Sequence, residues 1–181
     1  MSHNIPRHDA SRPDIHQHEG FLSDMPHRDR SDTHTPHRDR SDSDTPPRVI
    51  RIAAAVIVDD AGRVLLVRKR GTDRFMQAGG KIDPGESASE AVVRELEEEL
   101  GLVVDAAVLD YWGRFTAVAA NELDHVVDAE AFFLALPRAI ASSVAAAAEI
   151  EELVWAQPNE ALALPLAPLT RDILLPRLAA L

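Results

Sequence analysis

The sequence predicts a mixed α/β domain, a mixed β-sheet packed between helices, over residues 48–181. Three observations predict it: β-branched apolar runs separated by turn signals, one capped amphipathic helix between them, and no regular strand–helix–strand alternation of the kind that builds an all-parallel sheet. The 181 residues, 45% hydrophobic and 27% charged, suffice for one ordinary globular domain.

Order is expected to begin near Arg48. The run VIRIAAAVIV (49–58) is apolar and partly β-branched, DDAG (59–62) turns the chain, and RVLLVRKR (63–70) follows as a second strand, so the two read as a hairpin. GTDRFMQAGGKIDPGE (71–86) reads as a loop. It leads into a helix over 88–100 with a marked start, since Ser87 followed by Glu90 is a capping box, and Gly101 supplies the C-terminal stop. Further strands are expected at 102–109, 111–118 and 126–136, the last interleaving polar and apolar residues. The stretch 137–148 fits either loop or helix; 151–156 reads as a short strand, and 159–164 and 169–180 as helices after Pro-containing segments.

Residues 1–47 differ in kind. Seven of the eight histidines lie there among Asp, Arg, Ser and Pro, with scarcely any aliphatic residues, and PHRDRSD occurs twice, at 26–32 and 36–42. Such a segment cannot bury enough apolar surface to offset its ordering entropy, so it is read as a disordered extension that grew by duplication.

Composition excludes several functions. A net charge of −11 with only two lysines argues against binding a nucleic-acid polymer, which needs clustered cations to displace counterions. An acidic protein that handles a small polyanion needs a metal as intermediary. The absence of cysteine removes disulfides, thiolate nucleophiles and Cys-ligated metals, and fits a reducing, cytoplasmic location. No stretch approaches the roughly 18 to 20 apolar residues of a membrane span.

The helix poses the functional question, because RELEEE places four glutamates in five positions. Like charges three or four residues apart on a helix each cost about 0.2 to 0.5 kcal/mol. At 100° per residue Val92, Val93, Leu96 and Leu100 form a core-facing stripe. Glu95, Glu98 and Glu99 fall on a second arc beside it, while Glu90 and Glu97 point to solvent. A solvated face would explain them, but three carboxylates on one arc also form an oxygen-rich site for Mg²⁺ or Mn²⁺. Arg94 beside the arc can pair with and orient one of them.

The run Gly80 to Leu102 resembles the signature box of the Nudix hydrolase family. Gly80, Glu86, Arg94, Glu95, Leu96, Glu98, Glu99, Gly101 and Leu102 all match its specified positions. The resemblance implies an α/β/α sandwich with a mixed β-sheet and Mg²⁺-dependent hydrolysis of a nucleoside diphosphate linked to another group, a small-molecule nucleotide. It implies that Glu98 and Glu99 bind the cation, that Glu95 is a ligand or the general base, and that Arg94 holds Glu95 in place. Gly80 would offer its carbonyl, and Glu86 would brace the loop or help hold a second cation. Diphosphate hydrolysis needs charge neutralisation and an activated water, which agrees with the carboxylate arc.

Family members often draw a further glutamate from a distant loop, and Glu149, six residues before Trp155, is placed similarly; Glu151 and Glu152 compete with it. Lys81 and one of the upstream arginines, Arg68 or Arg70, suit phosphate contact, and strand alternation puts Arg68 and Arg70 on a face that Lys69 does not share. A homodimer is common in the family, although no apolar stripe here requires one. Markers of ADP-ribose and dinucleoside polyphosphate hydrolases are absent at 117–120, where the chain has Ala-Val-Ala-Ala. Gln77 and Ala78 precede the glycines where the family often has Pro just before them. A nucleotide-sugar pyrophosphatase is the alternative within the class, and a non-catalytic nucleotide-binding regulator the alternative outside it.

Overall fold

The structure, a computed structural model, describes residues 46–181; the reading of residues 1–47 as a disordered tail lies, but for its last two positions, outside them. Seven strands form one mixed sheet: β1 (Arg48–Asp59), β2 (Val64–Lys69), β3 (Phe75–Met76), β4 (Ala78–Lys81), β5 (Asp110–Val118), β6 (His125–Leu136) and β7 (Ile150–Ala156). The order β3-β2-β1-β6-β5 is extended by β4 pairing with β1 and β7 with β2. All pairings are antiparallel except β1 with β6, which run parallel from Arg48↔His125 to Asp59↔Leu136.

β1 is apolar throughout its centre because both of its faces are covered. Ala53, Ala55 and Ile57 meet α1 (Ala88–Leu100) through Val92, Leu96 and Leu100. On the opposite face Val56, together with Val64 and Leu66 of β2, meets Leu166, Leu169, Leu174 and Leu175 from the C-terminal segment. The layers are therefore helix, sheet, helix, as expected for the α/β/α sandwich.

α1 begins and ends where the sequence indicates. Ser87 and Glu90 form the reciprocal capping box, and Gly101 adopts φ 63° in the left-handed region. The stripe differs in one position: Val93 is half-buried, and Ala91 takes its place in the core. Four further expectations need correction. Residues 102–109 form no strand; Asp105 caps a single 3₁₀ turn, Ala106–Val108, by accepting from the Ala107 N–H at 2.8 Å. The 71–86 loop carries β3 and β4, because Gly79, at φ 142°, lets the chain press onto β1, where a Cβ would lie 2.2 Å from the Ala53 carbonyl oxygen. The first C-terminal helix shrinks to α3 (Pro158–Ala161). The second is divided into a π-helical turn, Thr170–Leu174, and α4 (Leu175–Leu178). Only α2 (Arg138–Ala141) interrupts the irregular chain between β6 and β7. No helix among the described residues is long and apolar enough to cross a membrane.

The β1–β2 hairpin depends on Asp59, whose side chain is buried. One carboxylate oxygen accepts from the N–H groups of Ala61 (3.0 Å) and Arg63 (2.9 Å), and the other from the Arg63 guanidinium at 2.8 and 2.6 Å. Burial opposes ionisation here, but the bonds from Arg63 and Ala61 outweigh it and hold the carboxyl below its usual 3.8. A depressed folded-state pKa contributes stability above the unfolded value and loses it as pH falls through the folded one. Asp59→Ala should lower stability in urea unfolding by about 1–3 kcal/mol at pH 7, and the difference from the parent should shrink below about pH 4. A deficit that does not change with pH would mean that the carboxylate charge is not the source.

Candidate active site

α1 and β4 meet across the Gly79–Gly80 backbone, and Glu95 and Glu99 take their positions from that junction. Glu99 is fully buried; one carboxylate oxygen accepts from the Gly79 N–H at 2.9 Å and the other lies 2.8 Å from Lys69 Nζ. Lys69 also reaches Glu149 at 3.0 Å and donates to the Gly79 carbonyl at 3.3 Å. Burial alone would lower the Lys69 pKa, but Glu99 and then Glu149 reverse this and raise it, so the ammonium is charged. Burial pushes the Glu99 carboxyl upward, with Lys69 and the Gly79 N–H opposing it.

Arg94 is the second organising cation. Its guanidinium grips Glu86 with two bonds of 2.9 and 3.0 Å, donates to Glu95 at 2.8 Å and to the Lys81 carbonyl at 3.1 Å, and lies 3.5 Å from Glu98. This fork suits the planar donors of arginine and would not be reproduced by lysine. It ties the loop before α1 to the helix, and it holds the Glu86 carboxyl below its usual range. Gly80 permits the approach, since a Cβ there would lie 2.3 Å from a Glu95 oxygen.

The sequence-predicted residues divide into two sets. Gly80, Lys81, Glu95 and Glu149 line one cavity of about 430 Å³, with Lys69 beside them. Arg68 does not line it, because its guanidinium is committed to Glu151 and Glu152 at 2.9 Å each and to the Thr72 carbonyl. Arg70 is exposed and also lies off the cavity, although its backbone N–H holds the Glu149 carbonyl at 2.8 Å. Lys69 is the cation the sequence reading passed over. A register slip in the β2–β7 pairing sets Arg68 opposite Glu152 but Lys69 opposite Ile150, leaving Glu151 unpaired and bringing Glu149 beside Lys69. Strand alternation was the available signal: if Arg68 and Arg70 share the outer face, Lys69 takes the inner one.

The expected convergence of Glu95, Glu98 and Glu99 is not formed as such. Among the described residues no group of three His, Asp or Glu side chains is gathered as a ready metal cage. The cause is charge pairing: Arg94 holds Glu95, Lys69 holds Glu99, and Glu98 is half exposed. The donor chemistry still fits a hard divalent cation. The carboxylates on α1 and the Gly80 carbonyl are all oxygen ligands, and the Glu99 oxygen facing Lys69 has no properly directed hydrogen-bond donor.

Comparisons with known proteins identify the family. The NUDIX domain family model matches residues 49–178. The chain belongs to the Nudix family of hydrolases. The CTP pyrophosphohydrolase of Escherichia coli (strain K12) is 34% identical over 124 residues, 67% of this chain and 85% of that protein. An 8-oxo-dGTP diphosphatase of Haemophilus influenzae is 38% identical over 60 residues, which span 31% of this chain and 44% of that protein. Among solved structures, the E. coli ORF135 protein superimposes with a TM-score of 0.56 at 31% identity, covering 74% of this chain and 91% of that one. The MutT protein of Methanosarcina mazei Go1 has a TM-score of 0.61 at 24% identity over 75% and 96% of the two chains, a likeness of fold.

Removing the ammonium from Glu99 tests this electrostatic design. In Lys69→Ala the buried carboxyl keeps only the Gly79 N–H, so its folded-state pKa rises further above 4.5. A raised carboxyl pKa preserves stability below the unfolded value and forfeits it as pH climbs through the folded one. Urea unfolding should therefore show a deficit of about 3 kcal/mol at pH 8 that is much smaller near about pH 5. A deficit that is equal at both pH values would show that Glu99 does not depend on Lys69.

Proposed function

We propose that this protein is a divalent-metal-dependent pyrophosphohydrolase of small nucleotides, with nucleoside triphosphates as the substrate class, and that residues 48–181 carry the activity. One observation carries the reading. The cavity is lined by charged side chains, Lys69, Lys81, Glu95, Glu122 and Glu149, and by apolar ones that include Ile50, Ile52, Val127 and Leu169. A polyphosphate matches the first and a nucleobase the second. One relative, matched over 85% of its own length, is a CTP pyrophosphohydrolase, which supports the same class.

In this reading Glu98 and Glu99 hold the cation with the Gly80 carbonyl, and Glu95 is a further ligand or the base. The bound cation would neutralise charge developing on the phosphate oxygens and lower the pKa of the attacking water. As the base, Glu95, the one box glutamate lining the cavity, would take a proton from that water. Arg94 keeps the Glu95 carboxylate in place through its 2.8 Å bond. Lys69, held in place by Glu99 and Glu149, and the exposed Lys81 offer the phosphates positive charge. Glu149, held by Lys69, flanks the phosphate end; its carboxyl lies below its usual pKa because of that lysine, so it is ionised near neutrality.

Glu98→Gln should leave the melting temperature unchanged, since the side chain is 54% exposed. It should lower turnover of a nucleoside triphosphate panel by at least about a hundredfold, with chelation of divalent cations giving a comparable loss in the parent enzyme. Full turnover in this variant would remove Glu98 from the site. A chain lacking residues 1–47 should keep kcat within about twofold on the same triphosphate panel, the result expected when a truncation removes no transition-state contact.

A further inference from the structure

Lys69 stands between a buried carboxylate and the cavity. Glu99 has no solvent exposure and does not line the cavity, whereas the Lys69 side chain is 22% exposed and does. The ammonium lies 2.8 Å from Glu99 Oε1, yet that oxygen has no properly directed hydrogen-bond donor. The contact is a charge pairing without hydrogen-bond geometry, at a depth where acceptors are nearly always hydrogen-bonded.

The surrounding bonds make this pairing exchangeable. Glu99 Oε2 is held by the Gly79 N–H at 2.9 Å, so the carboxylate stays aimed when Oε1 changes partner. Lys69 has a second anionic partner, Glu149 at 3.0 Å, whose side chain is 52% exposed, and it donates to the Gly79 carbonyl at 3.3 Å. An ammonium on a flexible four-carbon stem can release one of these partners and keep the other two. The oxygen it releases is a ligand of the kind that hard divalent cations take. A cation and an ammonium cannot both occupy that position.

We infer that Lys69 determines the affinity of the site for its divalent cation: the ammonium occupies the cation's position at Glu99 Oε1 and yields it while remaining on Glu149. This rests on the divalent-metal reading above. Lys69 thereby keeps Glu99 ionised and in place before any metal arrives. It also weakens the binding of a free cation, which must break an ion pair and approach a like charge. Once displaced, Lys69 faces the phosphates from Glu149 alone.

The test uses the full chain at slightly alkaline pH, with Mn²⁺ or Mg²⁺ as the only ligand, and the variants K69M and K69R. Mn²⁺ titration followed by EPR should show binding at least about tenfold tighter in K69M than in the parent, because no ammonium competes. K69R keeps the charge and should stay within about threefold of the parent, which separates competition from loss of packing. Urea unfolding gives a readout that a merely structural role would not move. The K69M midpoint, below the parent's in EDTA, should reach or pass it in saturating Mn²⁺. The chain has only two lysines, Lys69 and Lys81, so displacement is also visible in the parent by NMR of the lysine ammonium groups. The Lys69 ammonium protons should exchange with water at least about tenfold faster in Mg²⁺, once the buried pairing is released. Equal or weaker Mn²⁺ affinity in a folded K69M overturns the inference and leaves the metal reading standing. Where K69M does not fold, a Lys69 exchange rate unchanged by Mg²⁺ overturns it in the same way. If neither the parent nor the variants bind Mn²⁺, both readings fall.

Discussion

A carboxylate with no solvent exposure, Glu99, is the constraint around which the rest of the site is arranged. A buried charge persists only with a partner and hydrogen bonds, and Glu99 takes them from two different elements, the Lys69 ammonium of β2 and the Gly79 N–H of β4. One side chain thus locks α1 against the sheet beside the cavity. The apolar stripe of α1 buries the helix against the sheet, and this pair supplies what that non-directional contact lacks, a fixed position along the helix axis. Arg94 does the same for the loop side, joining Glu86, the Lys81 carbonyl and Glu95.

Much of this arrangement was legible in the residues. Ser87, Glu90 and Gly101 fix the ends of α1 by backbone chemistry that does not depend on the rest of the chain. The 100° spacing separates Leu96 and Leu100 from the glutamates without any knowledge of the sheet. The β1–β2 turn and the β6 alternation were readable for the same local reason. What escaped reading depends on partners far along the chain. Residues 102–109 carry enough aliphatic side chains to resemble a strand, but Asp105 satisfies the backbone locally before any ladder can form. β3 and β4 are short, and nothing in their composition shows that Gly79 will press onto β1. Alternation puts Lys69 and Arg68 on opposite faces, but the slip against β7, 80 residues away in sequence, decides that Lys69 meets Glu149, and only pairing reveals which register is taken.

The glutamate helix also shows why a motif fixes composition better than geometry. Three carboxylates share an arc, yet in the folded chain Glu95 is buried against arginine, Glu99 is buried against lysine, and Glu98 faces solvent. Neutralising cations inside the protein relieve the repulsion that made the sequence conspicuous. The like-charge penalty on the helix is therefore met by basic residues outside the helix as well as by Arg94 within it.

The pairing of Ala53 with Gly80 and of Ala54 with Gly79 brings two backbones together with almost no side-chain volume between them. No larger residue fits at Gly79, where even a methyl group would collide with the Ala53 carbonyl, and at Gly80 one would push the Glu95 carboxylate aside. The floor of the site is accordingly closed to variation, at Gly79 by backbone sterics and at Gly80 by the seat of Glu95. The same cavity is also lined by Asn121 and Glu122 on an exposed turn, positions where side chains can be exchanged without moving the sheet. A lineage of such proteins can therefore drift in what it recognises while its reaction centre is held still, and the boundary between the two regimes runs through the middle of a single cavity.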